Sequence, residues 1–104
     1  MDTKTTNTVT QEQIDEIMSK SVATVSTEFD KCTVVTVKLP NGFILVEHSA
    51  CVDPKNYDVK MGFEICIKRI KDKIWELEGY RLQCNLYESQ NNDDSEDNWL
   101  NGEV

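Results

Sequence analysis

The sequence predicts a small α+β domain: a short N-terminal helix, a three-stranded antiparallel β-meander, and one long amphipathic helix that packs on the sheet. Two patterns predict this fold. β-Branched runs lie on both sides of an Asn41-Gly42 turn signal, and apolar residues recur at helical spacing from Phe63 to Leu77. The chain has 104 residues, which is the size of one domain.

The N-terminal segment, residues 1–9, is polar and without periodicity, and we expect it to be disordered. A helix is expected to begin at Thr10, because Thr10 and Gln13 have the spacing of a capping box. It is expected to end near Lys20. Its apolar face consists of Ile14, Ile17 and Met18.

Three strands are expected after this helix. Residues 22–29 (VATVSTEF) alternate small, β-branched and polar side chains, which predicts an edge strand before a turn at Asp30-Lys31. The other two strands flank Asn41-Gly42, which favours a two-residue type I′ turn because both central residues need a positive φ.

A two-residue loop at Asn41-Gly42 would set the register of the hairpin. It would place six side chains on the inner face in three opposed pairs: Leu39 with Ile44, Val37 with Val46, and Val35 with His48. Glu47 would then point to the other face. His48 is therefore expected to be a packing residue.

The long helix is expected to begin at Asp53-Pro54, or after a turn at residues 56–58, and to run to about Glu78. Gly79 is the expected stop. The stripe that faces the sheet is expected to consist of Phe63, Ile67, Ile70, Ile74 and Leu77, with Cys66 at its margin.

Charge is unevenly distributed along the chain, whose formal net charge is −8. No Lys or Arg follows Arg81, and the acidic residues after it are Glu88, Asp93, Asp94, Glu96, Asp97 and Glu103. We therefore divide the chain into a folded domain at residues 10–84 and a flexible acidic tail at residues 85–104. Direct nucleic-acid binding is not expected, because phosphate contacts need a basic surface.

Neither a cofactor nor a metal ion is expected. The four cysteines include no Cys-x-x-Cys pair and the N-terminus has no export signal, so we expect buried free thiols. A Cys–His enzyme built on His48 and Cys51 is a minor alternative, and the predicted register argues against it. No apolar run approaches the roughly 20 residues that a membrane span needs.

Partner-binding candidates lie outside the predicted core, and the expected edge strand at residues 22–29 is one of them. Trp75 falls off the apolar stripe, beside Lys68 and Lys71; it is either covered by the N-terminal helix or exposed as an interface residue. Trp99 and Leu100 are unusual in a purely solvating tail, and they would suit a short docking motif.

Three motifs within residues 31–83 resemble a known family: the LPNGF turn, the SACVDP junction, and the RIKDKIWELEGYRLQ helix end. In these motifs the chain resembles the phage gene product 49/66 family of small tailed-phage proteins. The resemblance implies a phage or prophage origin and action in the cytoplasm of a bacterial host. It implies no activity and no catalytic residue.

The functional hypothesis is a non-enzymatic accessory protein that binds and inhibits or sequesters a host protein, such as a component of an anti-phage defence system. The first alternative is a homo-oligomer that binds a small phosphorylated or nucleotide ligand between subunits, with Lys68, Lys71 or Arg69 facing the phosphates. The second is an acidic mimic of nucleic acid that acts through the tail.

Overall fold

The computed structural model describes residues 7–90 and has the predicted α+β architecture. The elements are α1 (Gln11–Ser19), β1 (Val22–Glu28), β2 (Cys32–Lys38), β3 (Ile44–Ala50), a 3₁₀ turn (Pro54–Asn56) and α2 (Val59–Gln90). The strands form one antiparallel sheet in the order β1-β2-β3. Helix α2 packs on one face of this sheet, over β2 and β3.

The capping box at the start of α1 is confirmed. The Thr10 hydroxyl accepts a hydrogen bond from the Gln13 backbone N–H at 3.2 Å, and the Gln13 side-chain oxygen accepts one from the Thr10 N–H at 2.9 Å. These two bonds satisfy N–H groups that lack partners within the helix. The helix ends at Ser19, as expected, and buries Ile14 completely.

The turn between β1 and β2 begins one residue earlier than predicted. Phe29 and Asp30 are its central residues, with φ of 54° and 60°, and the Lys31 N–H bonds to the Glu28 carbonyl at 3.1 Å. The two positive φ values are those of a type I′ turn. Lys31 is a third residue of the loop, since Glu28 pairs with Cys32. Phe29 has a large side chain in a left-handed conformation that such residues rarely adopt.

The predicted register of the second hairpin is wrong by one residue. The structure pairs Lys38 with Ile44, Val37 with Leu45 and Val35 with Glu47. Its loop contains Pro40 as well as Asn41 and Gly42, and the Leu39 N–H bonds to the Phe43 carbonyl at 2.8 Å. A three-residue loop of this kind ends in a left-handed residue; here Gly42 has φ 97°.

This difference of one residue turns every side chain of β3 to the other side of the sheet. Leu45 is buried beneath α2, and Glu47 lies on the same inner face. Ile44, Val46 and His48 lie on the outer face instead, where all three are exposed. The expectation that His48 is a packing residue of the inner face is therefore wrong.

Helix α2 begins after the turn, which was the second of the two predicted starts. The Asp58 carboxylate accepts hydrogen bonds from the Lys60 and Met61 N–H groups at 3.0 and 3.2 Å. The helix continues through Gly79, so the predicted stop there is wrong. Residues 85–90, assigned to the tail, are helical, and the rest of the predicted tail lies outside the described residues.

The buried row of α2 differs slightly from the predicted stripe. Every fourth residue faces the sheet: Gly62, Cys66, Ile70 and Ile74. Cys66 is therefore central, whereas Phe63 and Ile67 are half-buried at the margin and Leu77 is exposed. Gly62 has no side chain, so α2 can approach β2 closely at Thr33. The core consists of Ile14, Val35, Val37, Leu39, Leu45, Cys66, Ile70 and Ile74.

Candidate interaction surfaces

Chemically reactive side chains are dispersed in the structure. Among residues 7–90, no group of three or more His, Cys, Asp or Glu side chains could hold a metal ion. His48 lies on the outer face, while Cys51 continues the pairing of β3 on the inner side and places its thiol 3.2 Å from the Asp53 carbonyl. The structure therefore does not bring together the His48–Cys51 pair that the minor enzyme alternative needs.

The cysteines are all free thiols. Cys66 is fully buried beneath α2, and this burial raises the pKa of its thiol. The neutral thiol that results is a packing group rather than a nucleophile. The other three cysteines are half-buried.

One long side of α2 is bound to β3. Arg69 donates a hydrogen bond to the backbone carbonyl of His48 at 2.8 Å, and the Lys73 ammonium lies 2.6 Å from the Glu47 carboxylate. The hydrogen bond from Lys73 lowers the pKa of Glu47, with a smaller contribution from the charge of Arg69, against the opposing effect of burial. Two cations of α2 thus engage this edge of the sheet.

The opposite side of α2 carries two of the residues predicted to bind a partner. Lys68 and Lys71 line a shallow hollow of about 250 Å³ together with Phe63, Glu64 and Ile67. Because Arg69 and Lys73 face β3, this side of the helix faces β1. Arg69 does not belong to the hollow, contrary to the alternative that grouped it with Lys68 and Lys71.

Trp75 adjoins this hollow on the same side of the helix. It is half-buried and packs against the hydrophobic core, so it is neither fully covered nor a free surface residue. Its role in partner binding stays a prediction. Trp99 and Leu100 lie outside the described residues.

Strand β1 is exposed along its whole length on both faces. Its inner-face residues are Ala23, Val25 and Thr27, and Glu28 is its one charged residue. Helix α2 lies beyond β1, over the other two strands, and leaves the inner face of β1 uncovered. Tyr57 contacts the far end of β1, because its hydroxyl lies 2.7 Å from both the Thr27 and the Thr33 hydroxyls.

The outer face of the sheet is an apolar surface that sequence reasoning missed. No helix among residues 7–90 packs on it, and Val22, Ile44 and Val46 are 61%, 49% and 49% exposed there. The wrong register had placed Ile44 and Val46 in the core. Pro40 could have indicated the correct register. A proline before Asn-Gly fits the first central position of a type I turn, which places Pro40 in the loop.

A family model matches residues 5–86 of the chain, which is most of its length; the family is described as the phage protein (N4 Gp49/phage Sf6 gene 66) family. The match confirms the resemblance found in the turn, junction and helix motifs. No curated protein and no solved structure matches the chain. Within residues 7–90, neither helix has the length and apolar character of a membrane span.

Proposed function

Because the chain belongs to the phage protein (N4 Gp49/phage Sf6 gene 66) family, we propose that it acts without catalysis in the cytoplasm of the bacterial host. There it binds a host protein and inhibits or sequesters it, and a component of an anti-phage defence system is the partner we favour. The outer face of the sheet, defined above by Val22, Ile44 and Val46, is the observation that carries this proposal.

The outer face has the composition of a protein-binding surface. β-Branched apolar side chains occupy it, and Thr24, Ser26 and Thr36 add hydroxyl groups that can hydrogen-bond to a partner. Its charged residues, Lys38 and Glu28, lie at its two ends. Val22 and Ile44 flank Lys38 in one end row of the face, and apolar and hydroxyl side chains are interspersed across the rest of it. Such a mixed surface is usual for an interface between proteins that associate reversibly.

The reactive His, Cys, Asp and Glu side chains lie apart from one another in the structure, which supports a binding function rather than catalysis. A nucleophile needs a base within hydrogen-bond reach, and His48 and Cys51 lie on opposite sides of the sheet. The most perturbed carboxylate, Glu47, has an ion-pair partner in Lys73, which accounts for its lowered pKa. Ion pairs that serve only the fold perturb carboxylate pKa values in the same way.

The test compares two charge substitutions in the full-length, tagged chain. Val46→Asp places a carboxylate on the outer face, on β3 opposite Thr36, whereas Val52→Asp changes a residue that is 92% exposed outside the sheet. We expect host protein to co-purify from infected-cell lysate with the wild type and Val52→Asp, and at least ten-fold less with Val46→Asp. Circular dichroism should show the same fold for all three. Equal recovery with both variants would exclude the outer face as the contact.

The second candidate function is binding of a small phosphorylated or nucleotide ligand by a homo-oligomer. The hollow beside Lys68 and Lys71 favours it, because two ammonium groups adjoin the ring of Phe63 and the side chain of Ile67. Ammonium groups bind phosphate and an aromatic ring can stack on a base. Titration calorimetry with nucleotides should then detect binding that Lys68→Gln removes and that Lys55→Gln, an exposed change in the 3₁₀ turn, does not.

The acidic-mimic function of the tail rests on residues outside the described range and stays a prediction. Removal of residues 91–104 takes away Trp99, Leu100 and most of the acidic charge of the predicted tail. If the tail is responsible for the function, this truncation should abolish inhibition of the host protein, while the thermal unfolding of the folded domain should remain unchanged.

A further inference from the structure

We propose that β1 is a dimerisation strand. It pairs with β1 of a second copy of this chain, antiparallel across a two-fold axis, and joins two three-stranded sheets into one sheet of six strands. This association of the chain with itself does not require the outer face to bind a host protein.

Strand β1 has backbone groups that face away from β2 and have no strand partner. The Leu39 N–H and the Lys31 carbonyl both bond toward β3, so the odd-numbered residues of β2 point to β3 and the even-numbered ones to β1. In an antiparallel ladder the opposed residues exchange these bonds. The residues of β1 opposite the odd-numbered ones, Ala23, Val25 and Thr27, therefore direct their N–H and carbonyl groups away from the sheet.

The two edges of the sheet are treated differently. At β3 the outward carbonyl of His48 accepts the Arg69 side chain at 2.8 Å, and a charged guanidinium lies across the edge. Proteins protect edge strands with charged side chains, prolines or bulges, which prevent another strand from adding. Residues 22–27 of β1 contain none of these. β1 is thus the edge that is open to an additional strand.

A second copy of β1 fits this edge in one register that uses its full length. When Val25 opposes Val25 of the second copy, Ala23 opposes Thr27 and all seven residues pair. The outward groups of each strand then meet their counterparts, which gives about six backbone hydrogen bonds. Glu28 opposes Val22, so no like charges face each other.

In the same register, the exposed turn between β1 and β2 contacts the second copy. The residue opposite Phe29 becomes Ser21 of the second copy, at the junction between its α1 and β1. Phe29 is 91% exposed and has φ 54°, so in one copy alone a strained turn presents a large ring to water. In the dimer this ring would lie against the partner at both ends of the joined strands. An aromatic anchor of this kind is typical of an interface.

The geometry also predicts what the dimer encloses. α2 lies over β2 and β3, about 9.6 Å from the two-fold axis when strands are about 4.8 Å apart. The two α2 helices would then be about 19 Å apart, whereas helices in contact are 8–10 Å apart. They would leave a cleft with β1 as its floor and with Lys68 and Lys71 of both copies along its walls. The small-ligand alternative needs a cleft between subunits of this kind.

The test is the mass of the full chain in solution, measured by light scattering across a concentration series. The wild type should approach twice 11.9 kDa as concentration rises. Val25→Lys places two ammonium groups opposite each other and should remain monomeric, whereas Val22→Lys places an ammonium opposite Glu28 and should remain dimeric. An equimolar mixture of Val25→Lys and Val25→Glu chains should restore the dimer, which also shows that both variants are folded.

Amide hydrogen exchange gives a second, independent readout. In the dimer the Val25 N–H is bonded across the axis, so its exchange should slow at least ten-fold as concentration rises, while the Thr24 N–H, already bonded to β2, should not change. A wild type that is monomeric at every concentration would overturn the proposal and leave the edge for an extended peptide of another protein. A dimer that persists in Val25→Lys, or a mixture that stays monomeric, would equally overturn it.

Discussion

Gly62 is the position at which the packing of α2 on the sheet is tightest. A Cβ built there would overlap the Thr33 hydroxyl and lie 2.8 Å from the Thr33 Cβ. Thr33 is fully buried and its hydroxyl is bonded to Tyr57, so it cannot turn away without losing that bond. Gly62→Ala must therefore push α2 away from β2. Gly79, within the same helix, has no atom within 4 Å of such a Cβ and serves as the matched control.

The two substitutions to alanine should change the free energy of unfolding in opposite directions. Overpacking costs about 1–3 kcal/mol and the lost hydrogen bond about 1 kcal/mol, against a gain of about 1 kcal/mol in helix propensity. Gly62→Ala should therefore lower the free energy of unfolding by roughly 1–3 kcal/mol. Gly79→Ala gains only the higher helix propensity of alanine, so it should raise the free energy of unfolding by about 0.5–1 kcal/mol.

Urea denaturation followed by circular dichroism measures both changes. Thermal unfolding should show Gly62→Ala melting about 4–8 °C lower for each kcal/mol lost, as in other domains of this size. If Gly62→Ala were as stable as Gly79→Ala, the close approach of α2 to β2 at Thr33 would be refuted.

Two further predictions concern polar contacts. Tyr57→Phe removes the hydroxyl that bonds the buried Thr33 and should lower the free energy of unfolding in urea by about 1–3 kcal/mol, whereas exposed Thr27 can bond to water instead; an unchanged midpoint would contradict this. Glu47→Gln removes the ion pair with Lys73 and should cost up to about 1 kcal/mol at pH 7. Because the folded-state pKa of Glu47 is below its ordinary 4.5, this stabilisation is present above that value and is lost as the pH falls through the folded pKa. The two proteins should therefore converge in stability in acid, and a constant difference would argue against the ion pair.

Local signals in the sequence were sufficient to predict the helices and strands. They were insufficient to predict the register between β2 and β3. The Thr10 capping box, the Asn41-Gly42 turn signal and the apolar row of α2 depend on neighbouring residues. The helices and strands they indicate are all present, although the loop after β2 and the end of α2 differ from those expected. The β2–β3 register depends on whether Pro40 belongs to the strand or to the loop. Leu39 is buried in either case, so the pattern on β2 could not decide between the two loops.

The end of α2 was mispredicted for a related reason. Glycine often follows the last residue of a helix, which is why Gly79 was the expected stop. A glycine ends a helix, however, only where the chain adopts a left-handed conformation. Here the half-buried side chains of Leu82 and Leu86 continue the helical spacing beyond it. The edge position of β1 was expected from its sequence, whereas its uncovered inner face could not be predicted, since that depends on where α2 lies across the sheet.

The two proposed surfaces are adjacent, and this has a measurable consequence. Three strands of seven residues give an outer face of about 14 by 24 Å, or roughly 340 Å², whereas a stable interface covers about 800 Å² on each partner. Pairing through β1 would double this face to roughly 680 Å². Host-protein recovery should therefore fall with Val25→Lys, although Val25 lies on the inner face. The mixture of Val25→Lys and Val25→Glu chains should recover it. If Val46→Asp abolished recovery while Val25→Lys did not, a single copy would suffice for the partner and dimerisation would serve another role.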